Sequence, residues 1–85
     1  MPNVVIYTTA MCPYCVRARA LLDKKGVGYT DIRIDAQPEM RGEMESLSGR
    51  TSVPQIFIDD FHVGGFDDMA ELDVDGELDQ RLGLS

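Results

Sequence analysis

The residue that most constrains this fold is Pro13, which sits between Cys12 and the Tyr14-Cys15 pair, just after the apolar, β-branched run Asn3–Thr8. Proline fits the first turn of a helix, where its missing N–H is unpaired anyway, and fits badly inside a helix or central strand. A strand must therefore stop and a helix start at the cysteines. The residues that follow agree, since Ala18, Leu21 and Leu22 recur at helical spacing, with Arg17, Arg19, Lys24 and Lys25 at the other positions. Gly26 is a good terminator, so the spacing predicts a helix over 13–25.

Further on, Tyr29–Ile34 alternates, with Thr30, Ile32 and Ile34 on one face and Tyr29, Asp31 and Arg33 on the other, which reads as a second strand. Pro38 fits the first turn of a second helix, whose apolar stripe is Met40, Met44 and Leu47 and which ends at Gly49. Gln55–Ile58 and Phe61–Val63 flank Asp59-Asp60 as a tight hairpin, although the turn lacks a glycine. After Gly64-Gly65, Met69 and Leu72 suggest a short helix, and Gly76 separates it from a final turn carrying Leu78 and Leu82. The order is βαβαββα with one extra terminal turn. Two parallel strands from the βαβ unit plus an antiparallel hairpin make a four-stranded mixed sheet, covered as a three-layer α/β/α sandwich. With 85 residues and no repeat, linker or low-complexity stretch, residues 1–85 form one domain. Ligands of such sheets gather beyond the carboxyl ends of the strands, where Cys12 lies.

Charge narrows the partners. The net charge of −7 would be repelled by nucleic acid or an anionic bilayer. It is also uneven: residues 1–50 hold seven basic and six acidic side chains, whereas 51–85 hold Arg81 against nine acids. An anion site is thus expected in the first half or at its junction with the second. The longest apolar run, Val4–Tyr7, is too short for a membrane span or a signal-peptide core, so a cytoplasmic protein is expected. Two cysteines cannot make the disulfide framework of a small secreted domain.

Cysteines spaced C-x-x-C beside a βαβ pattern point to redox chemistry. With Pro13 first in the helix, Cys12 becomes the capping residue. Its sulfur then faces free amides at the positive end of the helix dipole, which favour thiolate over thiol. Cys12 is the expected nucleophile, and Cys15, one turn on and on the same side, the resolving thiol. A structural zinc site needs four ligands, and His62 is the only histidine, so no metal is expected. His62 itself reads as an ordinary strand residue. Glu71, Asp73, Asp75 and Gly76 fit the start of a calcium loop, but Leu82 occupies the position that needs a bidentate Glu.

Three motifs at matching places, Cys12-Pro13-Tyr14-Cys15, Thr51-Ser52-Val53-Pro54 and Gly64-Gly65-Phe66-Asp67-Asp68, make the chain resemble the glutaredoxins, in particular the small bacterial dithiol type, over essentially its whole length. The resemblance implies a thioredoxin fold and a glutathione-dependent thiol–disulfide oxidoreductase. It implies that Pro54 is cis and presents the backbone of Val53 to glutathione as an added strand. It implies that Asp67 takes the γ-glutamyl amino group, the amides of Phe66 and Asp67 its carboxylate, Arg41 the glycyl carboxylate, and that Tyr14 flanks the tripeptide. The implied partners are glutathione, disulfide-containing or glutathionylated proteins and, indirectly, glutathione reductase with NADPH, all met by a monomer. The chain departs from the family in having no lysine in Thr9-Ala10-Met11 before the first cysteine, and Arg17 or Arg50 could stand in for it. Phe66 is also bulkier than the small residue often found there. An iron–sulfur carrier and a thioredoxin-like reductase are the rival readings; Pro13 and Cys15 weigh against the first, and Tyr14 with the Gly64–Asp68 motif against the second.

Overall fold

The computed structural model describes residues 2–84. The apolar run forms β1 (Val4–Thr8), which the proline at position 13 turns into α1 (Pro13–Lys25). There follow β2 (Thr30–Arg33), α2 (Met40–Ser48), β3 (Gln55–Ile58), β4 (Phe61–Gly64), α3 (Phe66–Val74) and α4 (Glu77–Arg81). The strand order is β2-β1-β3-β4, with β1 and β2 parallel and the other two pairs antiparallel. The expected four-stranded mixed sheet with helices around it is therefore observed.

Alternation along the strands divides the core in two. Val4, Ile6, Ile56, Ile58 and Val63 pack with Ala18 and Leu22 of α1, Met69 of α3, and Leu78 and Leu82 in and after α4. On the other face Tyr7, Ile34 and Phe57 pack with Met44 of α2, and the Tyr7 and Phe57 rings meet edge-on at 5.9 Å. Lys25 ties the end of α1 to α3 and α4 through Asp73 at 2.5 Å and Asp79 at 2.7 Å.

Several boundaries differ from the sequence expectation, each for a physical reason. Asn3 lies outside β1 because its backbone is used by the hairpin turn: its N–H donates to the Asp59 carboxylate at 2.9 Å and its carbonyl accepts from Asp59 N at 2.8 Å. Asp59 makes the turn without glycine by adopting a left-handed conformation, φ 52°, which aspartate tolerates better than most residues. β2 is shorter than expected. Tyr29 leaves it to pack on the larger core and to donate its hydroxyl to Asp23 at 3.1 Å. Helix α2 begins at Met40, with Pro38 in the preceding turn, where its carbonyl accepts from Arg41 N at 3.2 Å.

Leu47 is a correction to the expected apolar stripe, being 57% exposed. The last turn of α2 does not close onto the sheet, and Leu47 instead borders an open hollow of about 280 Å³ with Val5, Tyr7 and Phe57 beneath it. The extra terminal turn is a helix in its own right, set off from α3 by Gly76 at φ 80°. No helix among the described residues is long and apolar enough to cross a membrane.

Candidate active site

At the β1-to-α1 junction Cys12 is extended, φ −116° and ψ 110°, and caps the helix through sulfur: Cys15 N donates to Cys12 Sγ at 3.2 Å. The Cys12 carbonyl already accepts from Val16 N at 3.1 Å, so the residue holds both ends of the first turn. An amide aimed at a sulfur stabilises negative charge on it. Cys12 is half-buried and reaches the surface, while Cys15 is wholly buried. Burial above all, then the hydrogen bond with Cys12, pushes the Cys15 thiol up to about 12, with the Thr9 amide and the Arg19 charge pulling weakly the other way. Two identical side chains one turn apart thus sit in very different surroundings, one at the surface and one sealed in the core.

Facing Cys12 is the loop before β3. The Val53–Pro54 peptide bond is cis, and the Val53 carbonyl lies 3.8 Å from Cys12 Sγ, close enough to accept from the thiol. The third piece is the β4-to-α3 turn. Gly64 sits at φ 111°, and a Cβ there would overlap the Asp68 carboxylate, so glycine is needed at position 64 for close approach as well as for the turn. Asp68 accepts from Gly65 N at 2.9 Å and, on the same oxygen, from Arg50 Nη1 at 3.0 Å. These two donors hold its carboxyl below the usual carboxylate range.

Together these elements enclose a groove of about 230 Å³ beside Cys12. Of the residues expected from sequence, Tyr14, Val53, Pro54, Phe66 and Asp67 all line it. Tyr14 is half exposed; its ring is 6.5 Å from that of Phe66, with the Arg17 guanidinium 5.4 Å from its centroid. Arg41 does not line the groove. Its Nη1 donates to the Thr51 carbonyl at 3.1 Å and pairs with Glu45 at 3.4 Å, so it braces the loop from outside. The groove also has Arg50, Ser52, Gly65 and Asp68 in its wall; Arg50 is one of the two stand-ins the sequence offers for the missing lysine, and sequence reasoning singles out none of the other three as ligands. A signal existed for Asp68, an acid at the third helical position after Gly65, which is where a carboxylate reaches back to the capping amide. Among the described residues no group of three or more His, Cys, Asp or Glu side chains is arranged to hold a metal ion.

Comparison with known proteins places the chain in a family. The glutaredoxin family model matches residues 4–63. The chain belongs to the glutaredoxin family. It is 55% identical to glutaredoxin 3 of Escherichia coli K12, covering 96% of this chain and 99% of that protein. It is 54% identical to a glutaredoxin of Pseudomonas aeruginosa, covering 96% and 98%. Among solved structures, the glutaredoxin of Brucella melitensis superposes with a TM-score of 0.85 at 50% identity, covering 99% of this chain and 91% of that one. A buckwheat glutaredoxin solved as a glutathione complex gives 0.87 at 29% identity, covering 96% and 77%. This glutaredoxin is accordingly a glutathione-dependent thiol oxidoreductase with a thioredoxin fold, and glutathione is its reductant.

Proposed function

We propose that this glutaredoxin is a glutathione-disulfide oxidoreductase in which Cys12 is the nucleophile and Cys15 the resolving thiol. The observation that carries the reading is the Cys15 amide donating to Cys12 Sγ at 3.2 Å, on a sulfur that reaches the surface beside the groove. On a glutathionylated protein, the Cys12 thiolate attacks the glutathione sulfur, the protein thiolate leaves and takes a proton, and Cys12 is left glutathionylated. A second glutathione thiolate attacks that mixed disulfide, releasing Cys12 and oxidised glutathione. On a protein disulfide, the Cys12 thiolate attacks one sulfur and the other leaves as a thiolate that takes a proton. Cys15 then loses its proton and attacks Cys12 Sγ, the second protein thiol leaves, and two glutathiones reduce the Cys12–Cys15 bridge with release of oxidised glutathione.

Glutathione lies in the groove with its cysteinyl backbone against Val53 and Pro54. The amino group of its γ-glutamyl end meets Asp67, and the carboxylate meets the amides of Phe66 and Asp67 at the start of α3. Tyr14 flanks it, and its glycyl carboxylate reaches Arg41 at the outer end of the loop. Arg50, in the wall and paired with Asp68, adds the cation that the missing lysine would otherwise supply. Residues 1–85 act as one domain and a monomer, in the cytoplasm, with glutathione reductase and NADPH restoring the reductant.

The test is turnover of a small glutathione mixed disulfide coupled to NADPH through glutathione reductase, for the wild type, Cys12→Ser and Cys15→Ser. Cys12→Ser is expected to be inactive and Cys15→Ser to retain turnover while losing reduction of protein disulfides. An active Cys12→Ser would overturn the assignment.

A further inference from the structure

The groove wall that follows the cysteines is a loop, and a loop needs something to hold its carbonyls in place. One holding contact comes from Gln55, whose side chain is wholly buried at the start of β3. Its Nε2 donates to the Ser52 carbonyl at 3.0 Å and lies 3.4 Å from Ser52 Oγ, while its Oε1 faces His62 Nε2 at 2.7 Å. Ser52 lines the groove; His62 does not, and instead borders the hollow next to Leu47.

Chemistry orients this chain of contacts. A carbonyl can only accept, so the Gln55 amide nitrogen must face Ser52, and the amide oxygen must then face His62. His62 Nε2 must in turn carry a hydrogen. The imidazole is aimed by stacking on Phe57, ring centroids 4.8 Å apart and 26° from parallel. A ring outside the groove thus fixes the buried amide that fixes the Ser52 carbonyl in the groove wall.

We propose that His62 and Gln55 are positioning residues for the glutathione groove, holding the Ser52–Pro54 loop in the geometry that receives the tripeptide backbone. This rests on the reading of the groove as the glutathione site. The role is one of affinity: losing one buried hydrogen bond of this kind corresponds to roughly a two- to twelvefold change in an equilibrium constant.

The test begins with His62→Phe, which keeps a ring for Phe57 to stack on and removes the donor, and His62→Gln, which restores an N–H. For His62→Phe, the KM for a glutathionylated peptide is expected to rise by about two- to twelvefold, more than any change in kcat, with His62→Gln recovering part of the loss. A KM that changes less than twofold, a kcat that falls as much as KM rises, or a His62→Gln no better than His62→Phe would each overturn the proposal. Should His62→Phe fail to fold, the ring ¹⁵N spectrum of the wild type decides alone. It is expected to show a protonated Nε2 whose resonance moves when glutathione is added, although His62 is not in the groove. A bare Nε2, or one indifferent to glutathione, overturns the inference. Backbone amide shifts on adding glutathione separate the two readings. If Ser52, Val53 and Phe66 do not move, the groove reading fails; if they move and His62→Phe keeps its KM, the positioning role alone fails.

Discussion

The two faces of the sheet serve the active site by different means. The face under α1, α3 and α4 is a continuous apolar core, and both the cysteine turn and the start of α3 stand on it. The face under α2 is smaller, is open at Leu47, and supports the cis-proline loop mainly by hydrogen bonds, from Arg41 to Thr51 and from Gln55 to Ser52. A nucleophile whose neighbouring thiol must stay buried needs a dry, densely packed base. A wall that meets a peptide backbone needs its carbonyls aimed, which packing alone does poorly and directional bonds do well.

The sharpest way to break this comparison is to cut the same kind of side chain from each face. Leu22→Ala removes a wholly buried leucine of α1 and is expected to cost about 3 to 5 kcal/mol, a large part of the stability of a domain this size. Met44→Ala under α2 is expected to cost nearer 2 kcal/mol, because Tyr7 and Phe57, which pack on it, border the open hollow and can relax. Urea unfolding of both measures the difference, and equal losses would remove the distinction between the faces.

Next in size is the Gly64-Gly65 turn, where the larger core meets the groove. Gly64→Ala puts a side chain at φ 111° and against the Asp68 carboxylate, for a cost of about 2 kcal/mol. Moving Asp68 also frees Arg50 and the Gly65 amide, so weaker glutathione binding should accompany the lower melting point. Calorimetric titration of the variant checks both halves, and unaltered binding would mean that the turn serves the fold alone.

The dry face also predicts how the second cysteine responds to pH. Burial holds the Cys15 thiol near 12, so around neutrality its thiolate fraction rises about tenfold per pH unit. Release of a chromophoric thiol from its mixed disulfide with Cys12 reports the Cys15 attack directly. The rate should climb with pH through the neutral range without levelling off. A plateau near pH 7 would show that the interior supplies a base the geometry does not reveal.

Much of this was legible from spacing. Pro13 alone located the strand-to-helix junction, and the Cys, Val-Pro and Gly-Gly motifs located the three pieces of the groove, because each depends on backbone geometry that few residues can adopt. What spacing could not convey was which face a contact comes from. Arg41 lies on a helix that never enters the groove, and Arg50, nine residues later, does enter it, a distinction decided by how the loop folds back. Leu47 obeys its helical stripe and is exposed nonetheless, since an open hollow lies between it and Val5, Tyr7 and Phe57 of the sheet. His62 carries no local signal. Its role comes from pairing in the sheet, which sets it over Phe57 and against Gln55.

The smallest effect expected concerns that histidine. Burial, and then the Arg50 charge, hold the His62 pKa below its ordinary value, with Asp68 opposing them weakly. The folded protein therefore takes up its proton at lower pH than the unfolded chain does. Stability from this group is fully present above the unfolded histidine value of about 6.5 and declines as the pH falls below it toward the lower folded value. The gain must be small, because the ring is only partly buried, and it has to be separated from the carboxylates that titrate further down. Comparing urea midpoints of the wild type and His62→Phe between pH 7.5 and 5 does this, since the carboxylates are common to both. The wild type should lose more stability over that interval. Parallel curves would show that His62 takes up its proton as readily in the folded protein as in the open chain, and its contact with Gln55 would then hold the loop in either charge state.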